Sequence, residues 1–165
     1  MANSGKTIAP APTEQQLWQF SLALYPKVQP LCLQWQDDFR LNVNLLLLLC
    51  YLEQQQLSLT SQQLLQLAAK LNNFSCQFTQ PLRTLRRNSS GASLAANQQQ
   101  HLKQTLLQAE LSLEQLEQQL LLEYCPPLTA TAQPLIELYL AQLNANDPLL
   151  TAQIIDLRQA LQQLN

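Results

Sequence analysis

Apolar side chains recur along this chain in steps of three and four, the spacing that lines one face of a helix. "TEQQ" places Thr13 and Gln16 as a capping box, opening a first helix that carries Leu17, Phe20 and Leu24 inward, with Trp18 and Tyr25 flanking, until Pro26 breaks it. A second helix follows from Val28 or Pro30 to Phe39, with Leu31, Trp35 and Phe39 on one side. Next comes "LNVNLLLLLCYLE", residues 41–53, where Asn42 caps and Leu41 and Leu46 have the spacing of a hydrophobic staple. Leucine on every side means burial on every side, so this is the expected central helix. Its apolar run is far shorter than the roughly 20 residues a membrane span needs.

Thr60 caps a fourth helix, whose face of Leu64, Leu67, Ala68 and Leu71 stops at Asn72 and Asn73. Ser75 to Arg87 form a fifth, with Phe78, Leu82 and Leu85 together and Pro81 kinking or dividing it. Residues 88–100, "NSSGASLAANQQQ", read as a flexible loop. The longest helix, about Asn97 to Tyr124, sets Leu102, Leu106, Ala109, Leu113, Leu116 and Leu120 in a heptad seam and ends at Pro126 and Pro127. That seam suits either a second copy or the C-terminal hairpin, which runs from about Thr131 to Asn144 and then from Asp147 and Pro148 through Leu150, Ile154, Leu157, Leu161 and Leu164. The expected fold is an all-α, single-domain bundle of seven to eight helices. A disordered tail (1–12) precedes a helical core domain (13–125), and the hairpin (126–165) packs on that core.

Composition agrees with the pattern. Glycine occurs only at positions 5 and 91 and valine only at 28 and 43, so the residues that sheets and hairpins consume are nearly absent. Charged residues are 12% of the chain, against about a quarter in most soluble proteins, and the net charge is −2. Such a surface has little field with which to steer nucleic acid or anionic lipid. Cys32, Cys50, Cys76 and Cys125 stand far apart with no CxxC pair, and read as reduced core residues rather than zinc ligands. The N-terminal "MANSGKTIAPAP" lacks the apolar stretch of an export signal, and the expected compartment is the cytoplasm.

Four stretches, "LWQFSLALYP" (17–26), "CLQWQDDFRLNVNLLLLLCYLEQ" (32–54), "PLRTLRR" (81–87) and "LKQTLLQAELSLEQLE" (102–117), together resemble a small bacterial family of uncharacterised proteins of about this length. A Leu-Gln-Asp segment followed by Asp-Val-Asn-Leu-Leu-Leu is the signature of that family. The resemblance implies a cytoplasmic helical protein without known activity. It places the signature polar positions on Gln36, Asp37, Asn42, Asn44, Arg83, Arg86 and Arg87. Arg40 stands where glycine is expected, so a left-handed turn there costs about 1 kcal/mol or is made differently. Asn42 replaces an aspartate, which keeps the cap but loses its charge beside the helix N-terminus.

These polar groups sit at three predicted helix ends. They form either a hydrogen-bonded knot that fastens the helices or a pocket around Asp37 and Arg83 in which arginine forks hold a small anion. "QDDF" lacks the second acidic motif that a magnesium-binding prenyl-transferring enzyme needs. Glu110, Glu114, Glu117 and Glu123 lack the Glu-x-x-His pairs of a di-iron bundle and read as a solvated acidic face. His101 has no acidic neighbour in sequence. Arg83, Arg86 and Arg87 offer a small phosphate-binding cluster, opposed by the acidic protein and by the helix C-terminus they occupy. The resulting expectation is a non-enzymatic protein-interaction module without cofactor or metal, with another protein as partner, monomeric or dimeric through the long helix.

Overall fold

The computed structural model describes residues 8–164. Seven α-helices are present among them: α1 (Glu14–Phe39), α2 (Val43–Gln54), α3 (Ser61–Phe74), α4 (Gln80–Arg87), α5 (Ala96–Tyr124), α6 (Leu135–Gln142) and α7 (Leu150–Gln162). Three begin as their sequences dictate. Thr13 and Gln16 exchange hydrogen bonds of 2.9 and 3.1 Å as a capping box, and Thr60 and Gln63 repeat the arrangement at α3. Asn42 Oδ1 accepts from the Leu45 N–H at 3.1 Å and caps α2.

Two expected breaks are absent, and the helix count is corrected by them. α1 runs unbroken through Pro26 and Pro30. Leu22, Pro26 and Pro30 lie one turn apart on the exposed side, so the carbonyls that lose an N–H partner face the solvated flank, where water substitutes. The second break was placed at Asn72 and Asn73, yet α3 passes through both and joins a π-helical turn, Ser75–Thr79, that leads directly into α4. There the Gln80 N–H reaches back five residues to the Ser75 carbonyl, and Pro81 occupies the first turn of α4, where its missing N–H costs little. Residues 61–87 are thus one rod. The bundle has six helical rods, not the seven to eight helices expected.

A short clip accompanies the helices. β1 (Ile8–Ala9) pairs antiparallel with β2 (Leu128–Thr129), Ile8 opposite Thr129, and Thr129 exchanges backbone hydrogen bonds of 2.8 and 2.9 Å with Ser58 on its other side. Residues 1–7 of the expected tail lie outside the described residues.

α2 is the hydrophobic centre: Leu45 to Leu49 are each at most 4% exposed, and α1, α5 and α6 pack around them. α5 lies across α1, α2, α3 and α4 rather than on the C-terminal hairpin. At the opposite corner Arg158 of α7 bridges Glu53 at 2.9 Å and Glu137, while the Ile136 N–H in the first turn of α6 donates to Glu53 Oε2 at 3.1 Å. Trp35 Nε1 donates to Gln153 Oε1 at 2.9 Å and ties α1 to α7. The C-terminal helices are therefore fastened to α1 and α2, which leaves α5 to organise the other side.

Candidate functional site at the junction of α2, α4 and α5

Glu110, Glu114 and Glu117 follow one another at i, i+4 and i+7 and so share a face of α5. That face turns inward. Glu110 is 4% exposed, Glu117 2% and the adjacent Gln118 3%, which corrects the expectation of a solvated acidic face at these two glutamates, whereas Glu123 is exposed. An unpaired buried carboxylate costs several kcal/mol, so each must find compensation.

Glu110 finds it in α4. Arg83 Nε donates to its Oε1 at 3.1 Å, and Arg86 donates through Nε to Oε2 and through Nη2 to Oε1 at 3.4 Å. Burial pushes the Glu110 carboxyl up, but the hydrogen bonds and charges of Arg86 and Arg83 outweigh it and hold the group below the usual range. The Arg86 guanidinium is raised in return, first through its hydrogen bond to Glu110. Glu114 has a weaker hold, 3.9 Å to Arg83 Nη2. Its burial and then the charge of Glu110 raise it to about 7.

Glu117 sits instead at the N-terminus of α2. Its Oε1 accepts from Asn42 Nδ2 at 2.9 Å and from Asn44 Nδ2 at 3.3 Å, so two amides and the positive end of the helix carry its charge without an ion pair. Gln118 extends the network: Nε2 donates to Asn44 Oδ1 at 3.2 Å and to Ser21 Oγ of α1 at 2.9 Å. From α6 the Tyr139 hydroxyl accepts the Asn42 N–H at 3.0 Å, and burial pushes that phenol up to about 12. One polar seam thereby joins α1, the N-terminus of α2, α4 and α6 along α5.

The predicted site residues divide among three places. Asn42 and Asn44 meet on Glu117, and Arg83 and Arg86 meet on Glu110. Asp37 and Arg87 face each other at 3.6 Å with roughly half of each side chain in water. Such a pair contributes about 0–1 kcal/mol. Gln36 joins neither cluster through its side chain; its carbonyl receives the Arg40 N–H where α1 ends. Arg40 itself has φ 58°, the left-handed conformation for which glycine is suited. Asp37 is paired with Arg87, and Arg83 with Glu110 and Glu114. The residues missed in sequence, Glu110, Glu117, Gln118, Ser21 and Tyr139, include two with a usable signal: glutamates in register with the buried Leu121, opposite an arginine pair one helix away.

Elsewhere, His101 lines an open groove of about 530 Å³ with Leu94, Asn97, Gln98, Leu102 and Thr105 at the start of α5. Among the described residues no three of His, Cys, Asp and Glu are placed to hold a metal ion. No helix there is long and apolar enough to cross a membrane.

The profile of a family described as a protein of unknown function, DUF2390, matches residues 16–121. That is well over half of the chain. The chain belongs to the DUF2390 family. The matched span contains the whole seam except Tyr139, so in this DUF2390 protein the polar junction lies within the family segment and α6 and α7 lie outside it. Comparison with curated proteins and with solved structures finds no match.

Proposed function

We propose that this DUF2390 protein is a non-enzymatic binding module of the bacterial cytoplasm, and that it docks another protein on the outward side of the segment 75–87. The observation that carries the reading is a pair of large apolar side chains left in water there: Phe78 is 51% exposed and Leu85 56%. The direction of Leu85 follows from its neighbours. Arg87 reaches Asp37 on α1, and Leu85, two residues earlier, points roughly 200° away around the helix. Large apolar side chains exposed near one another mark protein contact sites, and Phe78 and Leu85 stand seven residues apart on that segment.

Exposed neighbours such as Gln77 and Gln80 carry no charge, which suits recognition by shape and apolar contact. An anion or a nucleic-acid phosphate would have to displace Glu110 from Arg83 and Arg86, so the small-ligand and nucleic-acid readings rank below. All four cysteines are free, as a reducing compartment leaves them.

A photo-crosslinker placed at Leu85, with one at the exposed Ile155 of α7 as control, tests the site. The expected result is a discrete crosslinked protein from position 85 alone, lost when Phe78→Gln is introduced while the melting temperature holds. Equal crosslinking from position 155, or capture that ignores Phe78→Gln, would count against it.

A further inference from the structure

As a straight α-helix, the rod of residues 61–87 would carry one unbroken apolar stripe. At about 100° per residue, Leu64, Leu67, Leu71, Phe78, Leu82 and Leu85 all fall within about 40° of Leu71. The structure keeps only the first half of that stripe inside. Leu64, Leu67 and Leu71 are buried, whereas Phe78 and Leu85 stand in water. Beyond the π-helical turn the inward places go to the residue that follows each apolar one: Thr79 after Phe78, Arg83 after Leu82 and Arg86 after Leu85. The turn makes this shift. Its Gln80 N–H reaches back five residues to Ser75, so it takes up one residue more than an α-helix of the same advance. Thr79 carries the misfit: it is fully buried and its hydroxyl has no hydrogen-bond partner, where the ring one position earlier would bury apolar surface instead.

Two features hold the shifted register against the stripe. Arg83 and Arg86 satisfy Glu110, which in a straight rod would face Leu82 and Leu85 without a cation. Pro81 has no N–H and inside a straight helix would crowd the Gln77 carbonyl one turn back, whereas just after the π-helical turn it is accommodated. α1 continues as α-helix through the exposed Pro26 and Pro30, so the exposed Pro81 makes the straight register costly without forbidding it. With Pro81 in place, loss of Glu110 alone leaves the rod in the π register.

We propose that the rod 61–87 has two registers and that its π-helical turn is the device that presents Phe78 and Leu85 for docking. In the π register these side chains stand outside; in the straight register they turn into the bundle while Arg83 and Arg86 turn out. The purpose of the device rests on the docking reading above, and the two registers do not. Glu110 thereby acts as a positioning residue for the docking surface.

Pro81→Ala combined with Glu110→Leu removes both holds and offers the stripe an apolar partner. The register is read by NMR from the coupling across the Gln80 hydrogen bond, which runs to the Ser75 carbonyl in wild type and should move to the Cys76 carbonyl in the double variant. A soluble paramagnetic agent should broaden the Leu85 methyl signals in wild type, and in the double variant no more than those of the buried Leu48. Deletion of Gln77 is the complementary change and decides the matter if the double variant does not fold. It removes the extra residue, so a straight helix now delivers Thr79, Arg83 and Arg86 to their present places; Leu85 should stay accessible and Gln80 bonded to Ser75. A folded double variant with Leu85 still accessible and Gln80 still bonded to Ser75 would overturn the two registers, as would a Gln77 deletion that unfolds the protein or buries Leu85. Neither readout involves a partner, so failed crosslinking at position 85 counts against docking alone.

Discussion

α2 and α5 both run through the middle of this bundle, yet they bury opposite kinds of side chain. α2 hides five consecutive leucines, and only its first turn and its end are polar. α5 hides Glu110, Glu117 and Gln118 while Leu107, Leu111 and Leu116 are 50%, 39% and 43% exposed. The contrast follows from what each helix meets. α2 is enclosed by apolar faces, so burial alone orients it, whereas α5 meets the cationic face of α4 and the amide-capped N-terminus of α2, which together offset the cost of burying its acids. Leu107, Leu111 and Leu116 are then left on the outward side of α5. A helix is turned by its most expensive side chains as well as by its most hydrophobic ones.

Mutations can break this comparison at either helix. Leu48→Ala in α2 opens a cavity at a fully buried position and should cost about 3 kcal/mol by urea unfolding. In α5, Glu110→Ala should cost about as much, roughly 3 kcal/mol, because it strands two half-buried guanidiniums. Its cost has a pH signature: since the arginines hold Glu110 below its ordinary value, the gap from wild type should close as pH falls through the lowered value. A loss below about 1 kcal/mol at pH 7 would make the seam incidental.

Asn42→Asp sharpens the comparison by placing a second carboxylate 2.9 Å from Glu117. Two acids so close cannot both ionise freely, so the variant should lose about 1–2 kcal/mol at pH 8 and much less at pH 5, where one proton is shared. Arg40→Gly should act in the other direction, adding about 0.5–1 kcal/mol by relieving the left-handed backbone between α1 and α2. Leu116→Gln is the smallest: within about 0.5 kcal/mol of wild type, against the large cost at Leu48. A substantial loss at Leu116 would mean that α5 is turned the other way.

What was legible in the sequence follows the same division. Burial of Leu45 to Leu49 and the caps at Thr13, Asn42 and Thr60 depend on local spacing and were read from it. The fusion of α1 across Pro26 and Pro30 was not, because whether water can take up the carbonyls that lose a partner depends on exposure, which is a tertiary property. Continuity of α3 into α4 was hidden by Asn72, Asn73 and Pro81, since a π-helical turn leaves no local signature. The polar site was half legible: Asn42 and Arg83 were singled out, but their partners lie 75 and 27 residues away. A glutamate's role depends on what faces it. Spacing put Glu110, Glu114 and Glu117 on one side of a helix, and only the arginines of α4 and the N-terminus of α2 made that side the inner one.

The inward turn of α5 is tested most directly by carboxyl footprinting of the folded wild-type protein, read residue by residue by mass spectrometry. Glu123 and Glu14 should be modified quickly, with Glu110 and Glu117 protected until the protein unfolds. Modification of Glu110 and Glu117 as fast as Glu123 in the native state would contradict the account.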